Sequence, residues 1–406
     1  MPGPAGLAAG QARRTPLLAK RGRDKSVAMS GHEDKQPSLA AAGAVLTIDL
    51  GAVRANYRLL AGRLSGGARA AAVLKADGYG LGAAEIACAL QAEGCEVFFV
   101  AHLAEAISLR AALGDRPAIH VLNGIAPGAE GECIAAGGTP VLNSLEQLSA
   151  WDRAAKAAGR RLGATLQVDS GMARLGLPPE DVDRLSATPG AFDGIAVRLV
   201  MSHLACADEP QHPANEAQLA AFEALRAKLP PAPASLANSS GIFLDAAYRF
   251  DLARPGAALY GVNPMPGHSN PMRDVVGMSA KIVQTRDLPA YAGVGYGHAY
   301  HTVQPMRTAT ISLGYADGWP RRAAASAWRD GVELPFVGRV SMDSIILDIS
   351  ALPPGSLKAG DLVELIGPNQ TVDDIAGLAG TIGYEILTSL GKRFHRVYVD
   401  ETPRVR

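Results

Sequence analysis

From residue 45 to about residue 262, short β-like runs alternate with longer helical ones, and few folds accommodate that rhythm. The β-like runs are Ala70–Lys75, Val97–His102, Ala118–Asn123, Thr139–Asn143, Ala164–Asp169, Ala196–His203, Ser235–Ser239 and Leu252–Leu259, eight in all. Between them lie Ala/Leu/Glu/Arg stretches such as Ala83–Glu93, Leu103–Leu113, Ser144–Ala158, Asn215–Leu229 and Ile242–Ala247. Asn143 and Ser144 are placed to cap the helix that opens at Leu145. Eight strand–helix units over roughly 200 residues predict an α/β fold, a (β/α)8 TIM-type barrel, with an open doubly wound sheet as the main rival. Near residue 270 the texture changes. Val275–Thr285, Arg307–Leu313, Leu334–Val340, Ile345–Ile349 and Leu362–Ile366 are separated by turns such as Pro353-Pro-Gly, predicting a mainly antiparallel β module with one helix at Val372–Ala379. The expected division is a leader over 1–43, a barrel over 44–270 and a β module over 271–406.

Charge and cysteine usage narrow the function classes. Lys+Arg and Asp+Glu both number 39, so no overall charge points to nucleic acid or membrane. The leader carries seven basic against three acidic residues, is rich in Ala, Gly and Pro, and reads as a disordered extension. No segment is long and apolar enough to span a bilayer. The four cysteines, Cys88, Cys95, Cys133 and Cys206, form no C-x-x-C pair, and no zinc-spaced histidines accompany them. No metal site is expected. Mostly apolar neighbourhoods favour buried thiols and a reducing cytoplasm.

In a parallel barrel, functional side chains project from the carboxyl ends of the strands. The first run, Ala70-Ala-Ala-Val-Leu-Lys75, ends in a lysine followed by Ala-Asp-Gly-Tyr79-Gly-Leu-Gly. Desolvation lowers a lysine pKa, and the neutral amine attacks aldehydes. Glycine-flanked N–H groups and the Tyr79 hydroxyl suit an anion, so lysine plus phosphate cradle points to pyridoxal phosphate. On this segment alone, a lysine snorkelling to solvent accounts equally well for the pattern. Later ends carry Asp169-Ser-Gly-Met-Ala-Arg174, Ser202-His203, Asn238-Ser239-Ser240-Gly241 and Arg254-Pro-Gly256. Singly, each is a cap or a tight turn; together they outline a site.

Five segments then resemble the signatures of the alanine racemase family: Val-Leu-Lys75-Ala-Asp-Gly-Tyr79-Gly, Asp169-Ser-Gly-Met-Ala-Arg174-Leu-Gly, Val-Gly-Tyr296-Gly, Gly314-Tyr315-Ala-Asp-Gly-Trp319 and Gly338-Arg339-Val-Ser-Met342-Asp343. They follow that family's order across residues 45–399. The resemblance implies pyridoxal 5'-phosphate, a barrel followed by a β domain, and a head-to-tail homodimer with shared active sites. It makes Lys75 the Schiff-base lysine and one catalytic base, and Tyr296 the other base, delivered from the second subunit. Tyr79, Ser239, Gly256, Ala257 and Tyr384 would hold the phosphate. Arg254 would face the pyridine nitrogen, with His203 linking it to Tyr296. Arg174 and the Met342 N–H would take the substrate carboxylate. Tyr315 and Tyr384 would narrow the mouth, and Asp208, Arg321 and Arg339 would line the approach. The implied reaction is interconversion of L- and D-alanine, supplying D-alanine for peptidoglycan.

Two bases on opposite faces of Cα racemise a substrate without turning it over. A phenol serves as one of them only beside positive charge, for which Arg174 and His203 are the expected sources. Arginine beside a pyridine nitrogen weakens the cofactor as an electron sink and limits transamination. One departure stands out. The family position seven residues before Arg174 is commonly a carbamylated lysine, and here it is Gln167, which can accept a hydrogen bond but cannot carry the carbamate. Arg174 is therefore expected to lean on an anion such as chloride, or to be held less rigidly. His298 is expected on an exposed rim. Gly78-x-Gly80-x-Gly82 misses the dinucleotide spacing. A broader amino-acid (serine) racemase, a non-catalytic cofactor-binding barrel, and a decarboxylase or aldolase on the same architecture are the alternatives.

Overall fold

The computed structural model describes residues 36–400. Most of the 1–43 leader lies outside them. Its last part is ordered: the Lys281 amine donates to the Leu39 and Ala40 carbonyls, and the Arg396 N–H donates to Gln36 Oε1 at 3.0 Å. The disorder expected for the leader therefore does not extend over residues 36–43, whose polar groups find partners on the β module.

After β1 (Ala44–Asp49) the chain enters the barrel. Its strands are β2 (Arg69–Ala70) and β3 (Ala72–Val73), two halves of one position, then β4 (Val97–Val100), β5 (Ala118–Val121), β6 (Thr139–Leu142), β7 (Leu162–Gln167), β8 (Ile195–Met201), β9 (Ala234–Ser235) and β10 (Leu252–Ala253). Strands β3 to β9 pair in sequence order, all parallel, and β10 pairs with β2. The ring closes where Asp251 N–H donates to the Ala234 carbonyl (3.1 Å), Arg254 N–H to that of Ala237 (2.9 Å) and Val73 N–H to that of Pro255 (2.9 Å). These strands read as near-continuous apolar runs, such as Val-Phe-Phe-Val in β4, because both faces are covered. Helices Ala83–Ala92, Leu103–Leu113, Leu145–Ala157 and Ala214–Arg226 follow the expected spacing, and the Ser144 side chain caps the third by accepting from Gln147 N–H. The expected helix at 242–247 is instead two 3-10 turns, Ser240–Phe243 and Ala246–Tyr248.

The β module is one eight-stranded sheet containing β11 (Val276–Leu288) and the strands Met306–Ile311, Ser326–Arg329, Val332–Pro335, Ile345–Asp348, Leu362–Ile366 and His395–Val399. β1 completes it, antiparallel to β11 and parallel to His395–Val399, so the first strand belongs to this sheet and not to the barrel. Its alternating burial suits a sheet with one covered face. The helix at Val372–Ala379 lies where the sequence places it. One apolar cluster runs from β3, β4 and β5 into the β module, and a second fills the other half of the barrel. All four cysteines are free; Cys95 and Cys133 are buried, whereas Cys88 is exposed. Among the described residues no helix is long and apolar enough to cross a membrane, and no three His, Cys, Asp or Glu gather to hold a metal ion.

Candidate active site

Lys75 follows β3 and is itself partly buried. The chain then winds through a left-handed turn: Ala76, Asp77, Gly78 and Tyr79 have φ of 55°, 54°, 62° and 56°. For residues with a Cβ this conformation costs about 1–2 kcal/mol each, so the turn is held from several sides. Ala76 N–H donates to Glu105 Oε1 at 2.6 Å and Ala83 N–H to Asp77 Oδ1 at 2.9 Å. Arg396 and Tyr398 of the β module donate to the Gly80 and Leu81 carbonyls. The turn aims Lys75 into a cavity of about 370 Å³ at the carboxyl end of the barrel. Burial pulls the Lys75 pKa down, Arg174 adds to that, and Glu105 opposes it.

The other strand ends converge on the same cavity, which Tyr79, Arg174, His203, Ser239, Arg254, Gly256, Ala257 and Tyr384 also line. Ser239, beyond β9, accepts from the N–H groups of Gly256 (2.9 Å) and Ala258 (3.3 Å). Ala257 opens a 3-10 turn, Ala257–Tyr260, whose first N–H groups have no carbonyl within the turn to bond. A Cβ at Gly256 would stand 2.4 Å from the Tyr79 hydroxyl, so any side chain there would collide with Tyr79. The Tyr79 ring lies 4.6 Å from that of Tyr260 and 6.2 Å from that of Tyr384, which the helix Gly383–Ser389 brings over from the β module. Burial raises the pKa of both Tyr79 and Tyr384, keeping their hydroxyls protonated as donors.

Arg254 forms the opposite wall. It is 3% exposed, and its guanidinium donates to Ser235 Oγ, to the Ser202 carbonyl (2.6 Å) and to His203 Nδ1 (3.3 Å). Guanidinium has only donors, so His203 Nδ1 accepts and its proton sits on Nε2. Burial, Arg254, Arg174 and Lys75 together lower His203 to about 3. His203 is neutral at ordinary pH, so it cannot be one of the two expected sources of positive field, which leaves Arg174. The Arg174 loop hangs on Asp169, whose Oδ1 accepts from the N–H groups of Gly171, Met172 and Ala173. Gln167 braces it by donating to the Leu175 carbonyl at 3.2 Å, while the Arg174 guanidinium has no hydrogen bond or ion pair among the described residues.

Tyr296, Tyr315 and Met342 lie elsewhere. Tyr296 is 71% exposed, in a short turn between the positive-φ residues Gly295 and Gly297. Ser341 and Tyr296 line one hollow there, and the Tyr315 N–H donates to the Ser341 carbonyl at 3.1 Å. Met342 is 53% exposed, and its carbonyl accepts from Ala316 N–H. His298 is exposed, as expected of a rim residue. Arg339 stands beside Gly295 and Gly297, and Arg321 lines a separate hollow with Thr381 and Glu385. Asp208 is close enough to Tyr384 to raise its pKa. Within one chain, therefore, the expected residues fall into two groups, a barrel cavity and a face of the β module.

Comparison with known proteins names this arrangement. Residues 48–264 match the family model described as alanine racemase, N-terminal domain, and residues 275–398 match alanine racemase, C-terminal domain. The chain belongs to the alanine racemase family. It is 66% identical over 362 residues to an alanine racemase named catabolic from Mesorhizobium japonicum, covering 89% of this chain and 95% of that one. It is 52% identical to the protein of the same name from Agrobacterium fabrum, covering 90% and 94%. Among solved structures, the alanine racemase of Bartonella henselae with covalently bound pyridoxal phosphate is 43% identical, with a TM-score of 0.84 over 88% of this chain and all of that one. The fold is thus that of an alanine racemase, an amino-acid isomerase. Sequence reasoning missed two contributors to the site. Asn123, at the end of β5, lines the cavity as an ordinary strand-end amide. Glu105 looks like a routine residue of a helix first turn, and only the folded chain shows its second oxygen reaching Ala76.

Proposed function

We propose that this chain binds pyridoxal 5'-phosphate and interconverts L- and D-alanine by a two-base mechanism. The observation that carries the reading is a cavity in which a partly desolvated lysine shares the lining with Ser239, Arg254, Gly256 and a Tyr79 hydroxyl packed where a Cβ at residue 256 would stand. Ser239, Gly256, Ala257, Tyr79 and Tyr384 would hold the phosphate, with hydroxyls and N–H groups suited to a dianion. Arg254 would face the ring nitrogen. When bound, the cofactor supplies an electron sink that acidifies the substrate Cα–H. Lys75 Nζ takes or returns the proton on one face of Cα. Arg174, whose guanidinium has no hydrogen bond or ion pair among the described residues, receives the substrate carboxylate, helped by the Met342 N–H. The neutral His203 presents Nε2–H outward, where it orients the phenol of Tyr296.

Tyr296, exposed and outside its own chain's cavity, would act on the opposite face of Cα in a second copy's site. A head-to-tail homodimer follows, with the β module of each copy completing the barrel of the other. Tyr315 and Tyr384 would then narrow the mouth to a small side chain. The names of two relatives support a catabolic role, drawing alanine into breakdown, in preference to the peptidoglycan supply that the sequence suggests. The balanced charge fits a cytoplasmic enzyme without nucleic-acid or membrane partners. Incubation with each L-amino acid in deuterium oxide, followed by chiral chromatography, tests the proposal. Alanine should racemise fastest and serine more slowly. Lys75→Ala should lose both the cofactor's long-wavelength absorbance and at least about a thousandfold of the rate. Absence of racemisation by a chain that still binds the cofactor would favour the non-catalytic barrel.

A further inference from the structure

We propose that Glu105 is a positioning residue for the Lys75 amine: its carboxylate ties the start of the helix Leu103–Leu113 to the left-handed turn that aims Lys75 into the cavity. This rests on the reading of Lys75 given above and adds the group that holds it. One carboxyl oxygen, Oε2, accepts from the N–H groups of Ala101 (2.7 Å) and His102 (2.9 Å), which closes the helix start. That alone is ordinary helix capping. The other oxygen leaves the helix and accepts from Ala76 N–H at 2.6 Å, a residue 29 positions earlier in the chain. No cap requires that second bond.

The bond falls where the backbone most needs it. Ala76 is the first of the positive-φ residues and directly follows Lys75. Alanine gains nothing from a left-handed conformation, so an outside acceptor must hold it there. Both oxygens are needed as acceptors. A glutamine has one, and its NH2 group would confront an N–H donor. The same carboxylate is the acidic group that acts on Lys75, against Arg174, while Lys75 in turn acts on His203. Glu105 thus acts on the lysine through the backbone of the next residue and through its charge, without lining the cavity itself.

The test uses the full chain, stripped of cofactor and then given pyridoxal phosphate, with capture followed by absorbance. Hydrogen exchange of residues 74–83 is read in parallel. Glu105→Gln and Glu105→Ala should each slow capture by about tenfold or more, as expected for a lost charge-assisted hydrogen bond, and should deprotect Ala76–Gly80 while leaving β6 protected. Adding Ala76→Gly to Glu105→Ala should restore part of the capture rate, because glycine adopts positive φ freely. Ser144→Ala removes the cap of another helix, one with no reach to Lys75, so it should lower the melting temperature and leave capture unchanged. Wild-type capture and protection in Glu105→Gln would reduce Glu105 to a cap and overturn the proposal. If the unaltered chain captures no pyridoxal phosphate, the reading of the site falls instead, and exchange at 76–80 still decides the role of Glu105.

Discussion

Arg254 sits among neutral acceptors only: a serine hydroxyl, backbone carbonyls and a histidine ring nitrogen. Burial lowers its pKa to about 9, which leaves it charged at neutral pH. In the proposed arrangement, with Arg254 facing a pyridine nitrogen, that fixed cation would oppose protonation there. Arg254→Glu should therefore cut racemisation by about a hundredfold or more while raising pyruvate formation by transamination, and an unchanged side-product rate would count against the role. At Gln167 a carbamate is chemically impossible, so added bicarbonate should leave activity unchanged; a clear rise would refute this. His120, stacked on Phe99 and bonded to Thr165 Oγ1, is held at about 4 by burial and by Arg254. The unfolded chain protonates this group near ~6.5. Its contribution to stability is therefore complete above that value and is lost as pH falls towards 4, because the unfolded state then binds the extra proton. Melting temperature should decline through that window, and the decline should be shallower in His120→Asn. Residues at strand ends, such as Lys75 and Arg254, were legible because barrel geometry assigns them a direction. The protonation state of His203 was not, since it depends on which donor Arg254 turns towards it.

Among the elements, the left-handed turn is the least foreseeable. Glycines 78, 80 and 82 mark a tight loop, but three of its positive-φ positions, Ala76, Asp77 and Tyr79, carry side chains that normally avoid that region. They are held there by bonds from distant segments, which local propensity cannot register. At Gly80 both requirements meet: φ is 81° and a Cβ would stand 2.7 Å from the Leu387 carbonyl. Gly80→Ala should cost about 2 kcal/mol or more and weaken cofactor retention, measured by thermal melting with and without pyridoxal phosphate. The barrel strands were readable because burial on both faces leaves uninterrupted apolar runs. The helices Glu130–Ala135 and Gly383–Ser389, of six and seven residues, were not, being too short to show a period. Tyr384 rides on the second of these, so the sequence identified the residue while missing the element that delivers it.

At the scale of the molecule, two modules share one apolar core, yet the proposed chemistry needs a second copy. Mixing Lys75→Ala and Tyr296→Phe chains tests this directly. One shared site in the hybrid should then be intact, and activity should rise to about a quarter of wild type at equal mixing, since hybrids form half of the dimers and have one good site in two. No recovery would place both bases in one chain. The β1 pairing has a different consequence. β1 lies between β11 and the strand His395–Val399, so its parallel partner is 350 residues away, with Val45 opposite His395. On the ribosome β1 must wait, one edge bare, until residues 395–399 have been made. The nascent enzyme stays exposed to mispairing along that edge throughout, and a chain cut before His395 would leave it open for good.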